Sequence, residues 1–362
     1  MPPIRFLPPH PGEVPEIDRI SGVPHPREML SLVGQQAAEA AFLELYRAST
    51  LHHAFLLSGP EGIGKATFAY RAARFLLAEA EREGAGSALL GDAPAGTLDI
   101  AEASRTAHLV ANDAHPDLAV LKRRYDAKTK KFRSEIGVED TRNTLELFEK
   151  TSAFGGWRVI IVDAADDLNA SSANALLKTL EEPPARAVFF LVAHQPQKLL
   201  PTIRSRCRRL PFAPLAPEAL ATLIPAISGA PLDSAVLTRA GGSVRRALRF
   251  ADPAFRAYLA VLDDVLSALP KRRHAEIDRI AEAARSGSEG EQAFADFLEA
   301  VELWLDGAIR QRVAANDLVR ASSLAEFWAT MSENAARLDA FNLDRRAFVI
   351  TMIDELATLV SG

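Results

Sequence analysis

The stretch His53-Ala54-Phe55-Leu56-Leu57-Ser58-Gly59-Pro60-Glu61-Gly62-Ile63-Gly64-Lys65-Ala66-Thr67 runs from an apolar strand into a glycine loop that opens a helix. This order of strand, loop and helix, with a lysine after the last glycine, is typical of a P-loop. Gly59, Gly62 and Gly64 let backbone N–H groups gather at a helix N-terminus, where the helix dipole favours phosphate, and Lys65 adds a positive charge. The stretch therefore predicts an α/β domain with a cradle for phosphate.

One part of a hydrolysing P-loop is missing. The residue after Lys65, where a Ser or Thr hydroxyl would hold Mg²⁺, is Ala66. Thr67 follows it, about 100° further round the helix. We expect the loop to fold without being built to hydrolyse nucleotide, and the sequence leaves open whether ATP or ADP occupies it. The nucleotide-binding candidates in this loop are Gly59, Gly62, Gly64, Lys65 and Thr67.

A second apolar run, Trp157-Arg158-Val159-Ile160-Ile161-Val162-Asp163, ends in an acid. A buried parallel strand that ends in Asp is typical of a Walker B segment, whose carboxylate faces the Mg²⁺ of a bound nucleotide. Asp163 is therefore a further candidate for the nucleotide site. The next position, where hydrolysing proteins place a Glu that orients water, is Ala164, and Asp166 and Asp167 are interpreted as acids that start a helix.

The remaining pattern alternates helices with strands as far as residue 212 and is helical beyond it. We predict helices over 27–48, 100–112, 137–150 and 171–182, the last stopped by Pro183 and Pro184, and a buried strand over 187–193. Such alternation predicts a mostly parallel sheet with right-handed crossovers and ligands at the strand carboxyl ends.

The most basic part of the chain is 122–133, whose cations are Lys122, Arg123, Arg124, Lys128, Lys130, Lys131 and Arg133. Two interpretations stay open. The stretch is either a solvated hairpin or a loop that contacts phosphate.

Composition indicates a globular chain. It has 362 residues, a formal net charge of -5, 25% charged and 48% hydrophobic residues. No apolar run is long enough to span a membrane, and we predict a cytoplasmic protein. The one cysteine, Cys207, excludes an intramolecular disulfide and a cysteine-cluster zinc site, and we interpret it as a small buried side chain.

Several motifs in order resemble those of the AAA+ clamp-loader subunits of bacterial DNA polymerase III. They are the P-loop, His115-Pro116-Asp117, the Walker B strand, Ala175-Leu176-Leu177-Lys178-Thr179-Leu180-Glu181-Glu182-Pro183-Pro184, and Ser205-Arg206-Cys207. The resemblance covers about 53–250, and the part beyond agrees only in being helical. It implies an α/β AAA+ P-loop domain with a parallel sheet, a small helical lid and an all-α C-terminal collar domain. The expected bounds are a proline-rich arm at 1–26, the P-loop domain at 27–212, the lid at 213–252 and the collar at 253–362.

The resemblance also implies roles for two arginines. Arg206 would be an arginine finger, donated in trans to ATP on a neighbouring subunit, since a guanidinium forks onto phosphate oxygens. Arg206 in an intramolecular salt bridge is the alternative. Arg245, in Gly242-Ser243-Val244-Arg245, matches the sensor 2 position, where it either faces a γ-phosphate or only stabilises the lid. Many relatives carry a four-cysteine zinc module between the P-loop helix and His115, but residues 79–113 contain no cysteine, so we expect no zinc there.

The resemblance therefore predicts a non-hydrolysing clamp-loader subunit that needs no cofactor or metal of its own. Its expected partners are gamma/tau-type motor subunits and a delta-type clamp-opening subunit, with the sliding clamp and primed DNA reached through the complex. Two other functions stay open from the residues alone. One is a self-sufficient P-loop ATPase or kinase, against which Ala66 and Ala164 argue, and the other is a direct DNA-binding module that uses 122–133.

Overall fold

A parallel sheet of five strands carries the P-loop, in the order β2-β5-β6-β1-β7, and a separate antiparallel pair joins β3 to β4. The strands are β1 (Ala54–Ser58), β2 (Leu118–Leu121), β3 (Tyr125–Asp126), β4 (Lys131–Phe132), β5 (Arg158–Asp163), β6 (Ala187–Ala193) and β7 (Arg208–Pro211). The three long apolar runs predicted as strands are therefore neighbours at the centre of one sheet.

The computed structural model describes residues 4–5, 7, 15–20, 22–84, 96–129, 131–149, 152–285, 287–341 and 344–361. It divides into two units, Met1–Arg249 and Phe250–Gly362. In the first unit the helices are α1 (Gln36–Arg47), α2 (Lys65–Gly84), α3 (Arg105–Ala111), α4 (Val138–Glu149), α5 (Ala170–Glu181), α6 (Pro201–Arg206), α7 (Pro217–Ser228), α8 (Ser234–Arg239) and α9 (Val244–Ala251), which runs on two residues past the boundary.

The sheet is buried on both faces, which explains its continuous apolar strands. Successive residues of β1 alternate between two cores, because side chains along a strand point to opposite faces. Phe55 and Leu57 pack with α1 and α2 in one core, and Ala54 and Leu56 pack with α4 and α5 in the other. Helix packing on both faces of the sheet thus fixes the carboxyl end of β1, from which the P-loop projects.

Among its described residues, the second unit has helices, joined by short turns, and no strand. Its helices are α10 (Pro253–Ser267), α11 (His274–Ala283), α12 (Gly287–Ala314), α13 (Leu318–Phe341) and α14 (Arg345–Ser361). Buried side chains such as Phe255, Phe297 and Ile353 fill its core. No helix in the described part of either unit is long and apolar enough to cross a bilayer.

The predicted fold class is confirmed as a P-loop α/β domain with a parallel sheet, followed by helices alone. The finer division at 26, 212 and 252 stays a prediction. The proline-rich arm predicted at 1–26 falls partly outside the described residues, at 1–3, 6, 8–14 and 21.

The helix predicted over 27–48 was wrong in its first third, because α1 begins at Gln36. Arg71 donates a hydrogen bond to the carbonyl of Leu30, and Arg74 donates to those of Arg27 and Met29. These hydrogen bonds hold the segment in a non-helical course along α2. Gly34 then turns the chain at φ 77°, which a helix does not allow.

Candidate functional site

The candidate nucleotide site lies at the carboxyl ends of the central strands, as expected for an open α/β sheet. β1 ends at Ser58 and passes into the P-loop, β5 ends at Asp163, and His194 follows β6. β6 lies between the other two strands, so these ends are neighbours. The fold thus brings the P-loop and Asp163 together, as the sequence predicts.

The P-loop turns on glycines in left-handed backbone conformations. The φ angles are 151° at Gly59, 75° at Gly62 and 98° at Gly64. A Cβ added to Gly59 would lie 2.6 Å from the carbonyl oxygen of Phe212, and one added to Gly64 would lie 2.9 Å from Cδ1 of Leu32. Both backbone conformation and close packing therefore demand glycine in this loop.

Lys65 is turned back onto its own loop. Its side chain is buried, and its ammonium group donates hydrogen bonds to the carbonyl oxygens of Gly59, at 2.6 Å, and of Pro60. Burial lowers the pKa of Lys65 to about 8, and nearby carboxylates, Asp163 foremost, offset this only in part. The cation that would meet a phosphate is therefore held by backbone oxygens of the same loop.

Asp163 lies among charges of both signs. Burial, and after it the charge of Asp18, raises the pKa of Asp163 against the opposing effect of Lys122 and Lys65, and the net value is about 7. A carboxyl group with this pKa is only partly ionised at neutral pH.

The segment that contains α9 docks directly on the P-loop. The backbone N–H of Val244 donates to the carbonyl of Gly62 at 2.7 Å, and the buried hydroxyl of Ser243 donates to that of Glu61 at 2.9 Å. The guanidinium of Arg245 pairs with the Glu61 carboxylate at 3.3 Å. Arg245 thus lies at the site, where its partner is a carboxylate of the P-loop itself.

A cavity of about 200 Å³ lies between the P-loop, α9 and an N-terminal segment. Ala66 and Thr67 both line it, so Thr67 belongs to the site although Ala66 offers no hydroxyl. Its volume is below the roughly 300–1,000 Å³ that is usual for small-molecule sites. In this conformation the cavity is therefore small for a nucleotide.

Sequence reasoning missed three residues of this site. His194 and Asp18 line the cavity, and burial, together with the charge of Lys65, lowers the pKa of His194. Asp166 was interpreted as a helix-starting acid, but its carboxylate accepts the backbone N–H groups of His194, at 2.5 Å, and Gln195. An acid just after a strand is the one local signal that could have found Asp166, whereas Asp18 and His194 belong to no motif.

Arg206 is not part of that cavity. It is the last residue of α6, and its guanidinium pairs with the Glu181 carboxylate at 2.5 Å and donates to the carbonyl of Thr202 at 3.0 Å. The alternative weighed from the sequence, an intramolecular salt bridge, is therefore present in this chain. Both partners are partly exposed, and surface pairs of this kind contribute about 0–1 kcal/mol, so Arg206 can leave Glu181 at little cost.

Cys207 follows Arg206 and packs against the core beneath α5 and α6. Burial raises the pKa of the Cys207 thiol to about 12, so the thiolate is not formed at neutral pH. Cys207 is half-buried rather than fully buried, so its interpretation as a small buried side chain holds only in part, while the raised pKa argues against a nucleophile.

The His-Pro-Asp turn has a structural role. The Asp117 carboxylate accepts the backbone N–H groups of Ala153 and Phe154 and the hydroxyl of Ser152. These bonds fasten the loop that precedes β5. The turn therefore supports the site from beneath without lining the cavity.

The basic stretch forms the β3–β4 hairpin, with Lys130 outside the described residues. Several of its cations have carboxylate partners: Lys122 pairs with Glu16 and Asp18, Arg123 pairs with Asp167, and Arg124 and Arg133 pair with Asp140. These pairs favour the hairpin interpretation over a loop that contacts phosphate.

Comparison with known proteins adds to this geometry. A family model described as "DNA polymerase III, delta subunit" matches residues 34–216, just over half of the chain. The delta′ subunit of DNA polymerase III from Pseudomonas aeruginosa is 35% identical over 201 residues, which are 54% of this chain and 55% of that protein. The delta′ subunit from Escherichia coli is 35% identical over 169 residues, which are 47% and 45% of the two chains.

A gamma/tau subunit from Mycobacterium tuberculosis is 29% identical in an alignment of 359 positions that covers 90% of this chain and 57% of that protein. A solved gamma-subunit-related protein from Thermotoga maritima aligns at 18% identity and a TM-score of 0.39, with 88% of this chain and 99% of that chain covered, a likeness too weak to support a conclusion. The chain spans about half the length of the delta′ relatives it matches.

The match lies over the P-loop, the Walker B strand and the Ser-Arg-Cys segment, where the motif resemblance was strongest. The resemblance to delta′ subunits is thereby confirmed, and the chain belongs to the DNA polymerase III delta-subunit family.

Proposed function

We propose that the chain is a non-hydrolysing AAA+ subunit of a DNA polymerase III clamp loader. In this role it supplies Arg206 in trans to ATP on a gamma/tau-type neighbour. With that neighbour and a delta-type subunit, it helps to load a sliding clamp onto primed DNA. Gly59, Gly62, Gly64, Lys65, Thr67, Asp163 and Arg245 then form a degenerate nucleotide site.

The observation that carries the proposal is the contrast between the two cationic groups. The ammonium of Lys65 is buried on the carbonyls of its own loop, whereas the guanidinium of Arg206 lies on a partly exposed, weakly held pair outside the cavity. The first cation is bound within its own loop, whereas the second lies where a phosphate outside the chain could reach it. Arginine fingers that act in this way raise rates by about 10³–10⁵.

The two alternatives have less support. A self-sufficient ATPase lacks a hydroxyl at Ala66 and a water-orienting acid at Ala164. A DNA-binding module that uses 122–133 would have to release cations now paired with Asp18, Asp140 and Asp167.

The test is ATP turnover by the complex reconstituted with gamma/tau-type and delta-type subunits, after gel filtration has shown that each variant assembles. We expect Arg206→Ala to lower turnover at least about tenfold. Arg204→Ala is the matched control, since Arg204 is an exposed arginine on the same helix, and it should leave turnover unchanged.

Lys65→Ala should also leave the turnover of the complex unchanged. A loss of turnover with Lys65→Ala, or full turnover with Arg206→Ala, would contradict the proposal.

A further inference from the structure

An N-terminal segment, residues 15–20 and 22–28, is fastened to the P-loop domain by charged groups, and we name it the arm segment. The Lys122 ammonium binds the carboxylates of Asp18, at 2.9 Å, and of Glu16, at 3.3 Å. Lys122 directly follows β2, and β2 pairs with β5, the strand that ends at Asp163. The arm segment is therefore held at the carboxyl ends of the strands, where the candidate site lies.

Further pairs connect these carboxylates within the arm segment. The His25 Nε2 atom lies 2.9 Å from Asp18, and Arg27 binds Glu16. Arg19 bridges Glu16 and Glu28, both at 2.8 Å. We name this set the ionic clasp, and its members are Glu16, Asp18, Arg19, His25, Arg27, Glu28 and Lys122.

Three of the seven members of the ionic clasp are buried, and the other four are half-buried. His25 is 1% exposed, Arg27 5% and Glu28 0%. Hydrogen bonds from Arg27 and Arg19, with the charge of Lys122, outweigh the effect of burial and lower the pKa of Glu16 to about 2. Buried charges that are paired in this way lose much of their stability when one partner is removed. Single substitutions should therefore open the ionic clasp.

The arm segment forms one wall of the cavity over the P-loop. Asp18, Ile20, Val23, Pro24 and Pro26 line the cavity together with Lys65 and Ala66. The cavity that they help to line has a volume of about 200 Å³, below that of an ordinary small-molecule site. Opening of the wall would enlarge the cavity without altering the P-loop.

We propose that the arm segment is a cover over the P-loop site, held shut by the ionic clasp, and that it keeps nucleoside di- and triphosphates out. The inference rests on the proposed function, in which the chain makes no use of its own P-loop. The cover acts within one chain, so it needs no partner subunit.

A metal ion does not explain the cluster as well. Ligand atoms of Glu16, Asp18 and His25 lie within 4.8 Å of one another. However, Arg27, Arg19 and Lys122 already bind the two carboxylates, so their charge is satisfied by the protein itself.

The test is isothermal titration calorimetry of the purified chain with ADP and Mg²⁺. We expect Lys122→Met and Asp18→Asn each to bind ADP at least about tenfold more tightly than the wild type. Lys128→Met is the matched control, because Lys128 is an exposed lysine of the same basic stretch, and it should bind ADP as the wild type does. Thermal melting shows whether each variant is folded. Lys122→Arg, which keeps the positive charge, should bind ADP as weakly as the wild type does.

Adding Lys65→Ala to Lys122→Met should remove the gained binding, which locates it at the P-loop. Equal affinity for ADP in the wild type and both folded ionic-clasp variants, whether tight or undetectable, would overturn the inference. That result would not affect the proposed function, whose test is the effect of Arg206→Ala on the assembled complex.

Discussion

The pKa of the Asp163 carboxyl group depends strongly on its surroundings in the folded protein. Its ordinary pKa of 3.8 rises to about 7 on folding, chiefly through burial and then through Asp18. Between these values the folded state binds more protons than the unfolded state. The contribution of Asp163 to the free energy of unfolding is therefore lost as pH rises from about 4 to about 7.

Asp163→Asn removes this titration. We expect the free energy of unfolding of the variant, relative to that of the wild type, to be about 1–3 kcal/mol higher at pH 8 than at pH 5. Urea denaturation at the two pH values measures the difference. Glu146→Gln, at an exposed carboxylate of α4, should change the free energy of unfolding only slightly, and by nearly the same amount at both pH values. An equal effect of Asp163→Asn at pH 5 and pH 8 would show that Asp163 is ionised in the folded protein as in the unfolded chain.

Arg74 is the second feature at the residue scale. It is 1% exposed and donates to the carbonyl oxygens of Arg27, at 2.7 Å, and Met29. Burial, with the charge of Arg71, lowers the pKa of Arg74 to about 9, so the side chain is still charged at neutral pH. Its guanidinium is what holds the chain beside α2.

We expect Arg74→Met to lower the free energy of unfolding by about 2 kcal/mol, because two carbonyls lose their donor while a buried charge is also removed. Chemical denaturation at pH 7 measures this loss. Arg142→Met, at an exposed arginine of α4, should change stability by less than about 0.5 kcal/mol. If both variants are as stable as the wild type, Arg74 does not anchor the segment.

At the scale of elements, α9 and the P-loop meet through short hydrogen bonds to backbone carbonyls as well as through the Arg245–Glu61 ion pair. The bond from Val244 to Gly62 and that from Ser243 to Glu61 require the two backbones to approach closely. A Cβ on Gly62 would lie 2.4 Å from the Ser243 hydroxyl and 2.6 Å from Cβ of Arg245. This contact therefore depends on glycine at position 62.

Gly62→Ala should destabilise the protein more than Gly155→Ala does. Both glycines have similar left-handed φ angles, 75° and 71°, but a Cβ on Gly155 would meet nothing within 4 Å. We expect Gly155→Ala to cost about 1 kcal/mol for its backbone alone and Gly62→Ala about 1–3 kcal/mol more for overpacking. Urea denaturation of the two variants tests this, and equal losses would mean that α9 is not docked on the P-loop in solution.

For the whole molecule, the expectation concerns hydrolysis by the chain alone. Ala66 and Ala164 leave the site without a metal-holding hydroxyl or a water-orienting acid, and Lys65 is bound within its loop. We expect the purified chain to release no phosphate from ATP above background. A phosphate-release assay measures this, with Lys65→Ala as the control for contaminating ATPase. Turnover that Lys65→Ala abolishes would revive the ATPase alternative.

Much of the fold could be predicted from the sequence because the deciding signals are local. The predicted strand over 187–193 coincides with β6, and the helix predicted over 171–182 is α5 displaced by one residue. The helical periodicity at 27–35 was misleading, because hydrogen bonds from Arg71 and Arg74, far along the chain, hold that segment in a non-helical course. Propensity yields to tertiary contacts of this kind.

The sequence by itself determined the P-loop, the acid at the end of β5 and the arginine at the end of α6, since each depends on residue types at short spacing. Only the tertiary structure decided how these groups are used. It turned Lys65 onto Gly59, set Arg206 on Glu181, and laid the arm segment over the site through Lys122. The physical reason is that a charged side chain takes the partner that folding brings within about 3–4 Å, and sequence spacing does not encode that partner.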